Sequence, residues 1–154
     1  MSKGNKYTKG QNVFFKHQAQ TTPFAKGMEI SHAEGMYIYD VNNKKYLDLV
    51  AGVSACTLGH SHPAIVQSVN EQMQRYAHVM VYGEYVQSPQ YKLSQLLIEN
   101  LPKSLNCTYL VNSGTEAIEG AMKLAKRITS KNKIISFNNS YHGSTHGALS
   151  IMGK

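Results

Sequence analysis

Between Cys107 and Phe137 the chain carries two short β-rich runs, Cys107-Thr108-Tyr109-Leu110-Val111 and Ile134-Ile135-Ser136-Phe137, with one helical stretch running to about Ile128 between them. Strand, helix and strand at this spacing predict a βαβ unit, hence two parallel strands joined by a right-handed crossover. No other stretch constrains the fold as strongly. A parallel sheet needs helices on both faces and more than two strands, so the sequence predicts an α/β fold of which only the beginning is present.

The elements ahead of this unit are of a different kind. Residues 1–35 show no periodicity and are expected to be irregular. Met36-Tyr37-Ile38-Tyr39-Asp40 and Lys44-Lys45-Tyr46-Leu47-Asp48-Leu49 flank the Asx-rich Val41-Asn42-Asn43, which predicts a β-hairpin. A Gly-containing loop follows from Ala51 to Ser61. Pro63 suits a first helical position, with His62 or Ser61 as cap, and Val66, Val69, Met73, Tyr76 and Ala77 predict a helix over 63–78. Ser88-Pro89 starts a second helix, with Leu93, Leu96, Leu97 and Leu101 on one face before Pro102. A further helix is expected after the loop Asn138 to Gly143.

The net charge of +7 would suit nucleic acid, but its distribution argues otherwise. Arg75 and Arg127 are the only arginines among 16 basic residues, whereas base readout favours bidentate arginine. The lysines are scattered, apart from Lys131 and Lys133 and a Lys3–Lys6–Lys9 tail, and are expected to form a solvated surface with a frayed terminus. Charged residues make up 16% of the chain, below the usual ~25%, so part of the surface is expected to meet other protein. No apolar run approaches the ~18 residues of a membrane span, and the polar N-terminus lacks the apolar core of a secretory signal. Two cysteines, Cys56 and Cys107, build no disulfide framework, which points to the cytoplasm.

The most informative loop is Asn112-Ser113-Gly114-Thr115-Glu116-Ala117, at the carboxyl end of one predicted strand and the start of a helix. Ligands of parallel sheets bind at that edge. A helix start also offers unpaired N–H groups and the positive end of its dipole to a phosphate. Gly114 lets the backbone approach closely, and Ser113 and Thr115 add hydroxyls. Ser113 and Glu116 equally match an S-x-x-E capping box, so a capped helix without a ligand stands as the alternative. Ala117, Gly120, Ala121 and Ala125 let this helix press on the sheet. The neighbouring loop, Ser140-Tyr141-His142-Gly143, opens onto the same edge, where an aromatic ring can lie on a planar ligand or pack on the next helix. One phosphate anchor and one stacking aromatic point to a flat, phosphorylated cofactor. His60-x-His62 and His142-x3-His146 have ligand-like spacing but no adjoining cysteine or carboxylate, so no metal is expected. The Walker and Rossmann glycine fingerprints are absent.

Taken together, Tyr46-Leu47-Asp48-Leu49, Gly59-His60-Ser61-His62-Pro63, Asn112-Ser113-Gly114-Thr115-Glu116-Ala117 and Tyr141-His142-Gly143 resemble the class III (ornithine/acetylornithine-type) aminotransferases, from about Pro23 onward. The resemblance implies a pyridoxal-phosphate enzyme of fold type I, active as a homodimer, that moves an amino group from an amino donor to a 2-oxo acid. Residues 1–62 would be the hairpin-bearing N-terminal segment and 63–154 the start of the large domain. Ser113, Gly114 and Thr115 would hold the cofactor phosphate, Tyr141 would stack on its ring, and His142 would lie beside it. Gly52, Val53 and Tyr82 would approach the substrate. The family's Schiff-base lysine and its carboxylate lie far downstream, so the chain is expected to be an inactive N-terminal portion. Where many members carry arginine after the aromatic-His-Gly motif this chain has Ser144, which cannot grip a carboxylate bidentately. A non-catalytic βαβ piece that binds phosphate or a partner chain is the rival reading.

Overall fold

The computed structural model describes residues 7–153, so Lys3 and Lys6 of the basic tail, and Lys154, lie outside the described residues. The chain divides into two units, residues 1–79 and 80–154.

In the first unit, helix α1 (Lys9–His17) opens where no order was expected. Its signal is a capping box one turn long: the Thr8 side chain accepts from the Gln11 N–H, and the Gln11 side chain accepts from the Thr8 N–H. A three-stranded antiparallel sheet follows, β1 (Ile30–Glu34), β2 (Tyr37–Asp40) and β3 (Lys45–Leu47), in the order β1-β2-β3. The predicted hairpin is β2–β3, with Tyr37 opposite Leu47 and Tyr39 opposite Lys45. Asp40 builds its turn: Oδ1 accepts from the N–H groups of Asn42 and Lys44, and Oδ2 accepts from the Tyr46 hydroxyl. β1 went unforeseen because its residues, ISHAE, are mostly exposed and do not alternate.

The loop after the hairpin is tied back to it. Gly35 and His60 exchange backbone hydrogen bonds at 3.0 and 2.7 Å. At Gly59, with φ of +87°, an added Cβ would meet the Gly35 carbonyl at 3.0 Å, so only glycine serves there. Between them lies α2 (Ala51–Ser54), a single turn in which Ala51, Gly52, Val53 and Ser54 all have positive φ. Left-handed backbone costs about 1–2 kcal/mol for each non-glycine residue, so this turn must be held from outside. Asp48 does so: its Oδ1 accepts from Val50 and Ala51, both at 3.0 Å, while its Oδ2 pairs with His60 Nε2 at 2.7 Å. The His60 bond and the Ala51 N–H hold the Asp48 carboxyl below its ordinary value. Helix α3 (Pro63–Arg75) then starts with proline as expected, and ends at Arg75 rather than at residue 78.

The second unit carries α4 (Ser88–Asn100), α5 (Gly114–Thr129) and the short α6 (His146–Ser150). Here one expectation is corrected. Neither 107–111 nor 134–137 forms a regular strand. A strand exists through lateral hydrogen bonds, and neither segment has a partner beside it among the described residues. Tyr109, Ile135 and Phe137 are accordingly left mostly exposed. The helix between them lies close to the first of these segments, though not on a sheet: at Gly120, an added Cβ would lie 3.3 Å from the Tyr109 ring.

Candidate functional site

Ser113 caps α5. Its backbone is extended, and its Oγ accepts from the Glu116 N–H at 3.3 Å. The reciprocal half of the box is displaced by one residue, because Glu116 Oε2 accepts from Asn112 rather than from Ser113. Ala117 N–H donates to the Ser113 carbonyl. That leaves the N–H groups of Gly114 and Thr115, at the first two helical positions, without partners among the described residues. The Ser113 hydroxyl proton is also free, since its oxygen only accepts in the cap.

The second loop closes over this helix start. Gly143 is buried, has φ of +121°, and sits so close to Thr115 that an added Cβ would lie 2.3 Å from the Thr115 Cβ. The contact brings Tyr141, His142 and Ser144 across from Ser113, Gly114 and Thr115. Together with Ile118 and Gly143 they line one cleft of about 590 Å³. The Tyr141 hydroxyl lies 3.3 Å from the Ser144 hydroxyl. His142 Nε2 is buried with no hydrogen-bond partner among the described residues, an arrangement that costs free energy unless a ligand or water satisfies it.

Behind the cleft runs a polar chain that sequence reasoning missed. Thr115 Oγ1 lies 2.6 Å from Thr145 Oγ1, and the Thr145 N–H donates to Thr115 Oγ1 at 3.3 Å. Glu119 Oε1 accepts from the Thr145 hydroxyl at 2.7 Å, the Gly147 N–H at 2.8 Å and the Ala148 N–H at 3.0 Å. The Thr145 hydroxyl, then the Ala148 and Gly147 amides, keep the Glu119 carboxyl below its ordinary value against the opposing effect of burial. The available signal was the i, i+4 spacing from Thr115 to Glu119, which puts both on one helix face.

Five residues expected to bind a cofactor, Ser113, Gly114, Thr115, Tyr141 and His142, therefore share one cleft with Ser144. Tyr82, in the same unit, is 87% exposed and does not line it. Gly52 and Val53 belong to the first unit, in the left-handed turn. No lysine among the described residues lines the cleft.

The profile of the family Aminotransferase class-III matches residues 17–154. The sequence is 44% identical over 121 residues to the acetylornithine aminotransferase of Methanopyrus kandleri, covering 79% of this chain and 31% of that protein. It is 40% identical over 139 residues to the acetylornithine aminotransferase of Archaeoglobus fulgidus, covering 90% of this chain and 36% of that one. Among solved structures, an (S)-enantioselective omega-transaminase from Thermomicrobium roseum superposes with a TM-score of 0.85 at 27% identity, over 94% of this chain and 35% of that chain. The α/β fold expected from the sequence is the fold of these proteins over the matched part. The chain spans about a third of the length of the relatives it matches.

Proposed function

The chain belongs to the class-III aminotransferase family, and from that premise we propose that its cleft is the phosphate and ring cradle for pyridoxal 5'-phosphate in a transaminase. The observation that carries the reading is the pair of unpartnered N–H groups at Gly114 and Thr115, facing an aromatic loop that Gly143 holds against Thr115. These amides and the dipole of α5 suit a dianionic phosphate, and the Ser113 hydroxyl has a proton to add. Tyr141 offers a flat face to a pyridine ring. The buried, unsatisfied His142 Nε2 awaits a polar group. Bound there, the cofactor supplies an electron-withdrawing ring that accepts negative charge developing on the amino-bearing carbon.

The remaining roles follow from the chain's own residues. Gly52 and Val53 are assigned to the substrate by the family resemblance alone; they sit in a turn whose backbone strain is maintained by Asp48 and His60, as strained backbone at functional sites often is. Tyr82, largely exposed, is assigned to the substrate on the same ground. Ser144 offers the substrate a hydroxyl instead of a guanidinium, so a carboxylate gripped bidentately must find its arginine elsewhere. With no lysine among the described residues lining the cleft, the reactive amine is assigned to none of them. The substrates are an amino donor and a 2-oxo acid, and the complete enzyme is a homodimer that covers part of the exposed apolar surface. Free thiols at Cys56 and Cys107 suit the reducing cytoplasm.

Titration of the chain with pyridoxal 5'-phosphate, followed by tyrosine fluorescence and by the phosphorus resonance, tests the reading. Saturable binding, tighter than that of inorganic phosphate and displaced by an excess of it, is expected. Equal affinity for the two would favour a phosphate-binding module without a ring site. No binding would overturn the assignment.

A further inference from the structure

Helix α6 has five residues and no side-chain cap of its own. A helix this short does not persist alone in water, because nucleation costs more than one turn returns. Its unsatisfied amides at the second and third positions, Gly147 and Ala148, both donate to Glu119, a residue of α5. Glu119 thus performs from another helix the capping that an N-cap side chain ordinarily performs locally. At Gly147 an added Cβ would come within 2.3 Å of Glu119 Oε2, so the carboxylate and the backbone meet closely.

The Oε1 that accepts these two amides also sets the direction of the hydroxyl chain. An ionised carboxylate only accepts, so the single Thr145 hydroxyl proton is committed to Glu119 Oε1. In the 2.6 Å contact between Thr115 and Thr145, the donor must then be Thr115. The order runs Thr115 to Thr145 to Glu119. With its proton turned away from the cleft, the Thr115 hydroxyl cannot donate to a phosphate, and Thr115 is left to act through its N–H alone.

Resting on the cofactor reading above, we propose that Glu119 is a positioning residue: by capping α6 and drawing the Thr115 and Thr145 hydroxyl protons behind the cleft, it fixes the loop that carries Tyr141 and His142 opposite the Gly114 and Thr115 amides. Glu119 touches no ligand. Its effect falls on the ring side of the cleft, because the amides and Ser113 are held by α5 itself.

The test compares affinities for pyridoxal 5'-phosphate and for inorganic phosphate in the same chain. Glu119→Ala is expected to weaken the former by roughly tenfold or more, the loss of charge-assisted hydrogen bonds, and the latter by less than about threefold. Glu119→Gln retains an Oε1 acceptor for all three donors and is expected to restore most of the difference. A general loss of folding would lower both affinities together. Should Glu119→Ala lose helix by circular dichroism, Thr145→Val decides, since it cuts the hydroxyl chain and leaves both amides capped; it is expected to weaken the cofactor more than phosphate. Equal losses for the two ligands in the folded variants, or no loss, overturn the inference. Failure of the unchanged chain to bind the cofactor overturns the reading beneath it as well.

Discussion

Gly114 and Gly143 face each other across the cleft but are glycines for different reasons. Gly114 has ordinary helical backbone and open space around its Cβ position, whereas Gly143 combines positive φ with so close an approach that an added Cβ would overlap Thr115. Their substitutions should therefore differ. Gly143→Ala should destabilise the closed loop by about 2–5 kcal/mol, the sum of left-handed strain and overpacking, which faster hydrogen exchange of the Gly147 and Ala148 amides would report. Gly114→Pro should leave the fold intact, because proline suits a first helical position and Ser113 is already extended, with φ −152° and ψ 159°. It removes one N–H, so affinity for pyridoxal 5'-phosphate should fall by about 10–100-fold, the worth of a hydrogen bond to a charged group. Unchanged affinity in the folded variant would remove the amide pair from the site. Ser113, Gly114 and Thr115 were legible in the sequence because a loop between a β-rich run and a helix declares itself within six residues. Glu119 was not, since its meaning depends on a loop 26 to 29 residues away.

At the scale of elements, legibility followed locality in the same way. The β2–β3 hairpin and the proline-led starts of α3 and α4 rest on neighbouring residues, and the structure has them. Segments 107–111 and 134–137 carry the residues of strands but no ladder, because a strand is completed by its neighbour and not by its own sequence. The left-handed turn α2 belongs with these: Ala51, Val53 and Ser54 give no local signal for positive φ, which is imposed by Asp48 across the turn. This makes the turn acid-sensitive in a defined direction. Because the folded Asp48 carboxyl lies below its ordinary value, the stabilisation is full at pH above the unfolded aspartate value and is lost as pH falls through the depressed one. Amide resonances of Val50 and Ala51 should therefore titrate together, with a midpoint below that of an unpaired aspartate. A midpoint at or above the ordinary value would dissociate Asp48 from the turn.

For the molecule as a whole, function is limited by what surrounds the cleft. Ala148 is the single fully buried hydrophobic residue among those described, while Ile135 is 97% and Phe137 87% exposed. Apolar surface of this kind is covered in a working protein, so the chain on its own is expected to associate into mixed oligomers and to melt without a sharp transition; a single monomeric species with cooperative melting would contradict this. The chemistry is expected to be incomplete in a parallel sense. Transamination requires an amine placed to act as nucleophile and then as proton carrier, and no lysine among the described residues lines the cleft. What the cleft offers is binding: two amides, a hydroxyl and an aromatic face. Binding that is equal for ground and transition states leaves the barrier where it was. With saturating pyridoxal 5'-phosphate, the chain should therefore exchange amino groups no faster than the cofactor in buffer, although it retains the cofactor on a desalting column. Turnover clearly above that control, kept through repurification and abolished by Gly114→Pro, would mean that a reactive amine of this chain reaches the cleft.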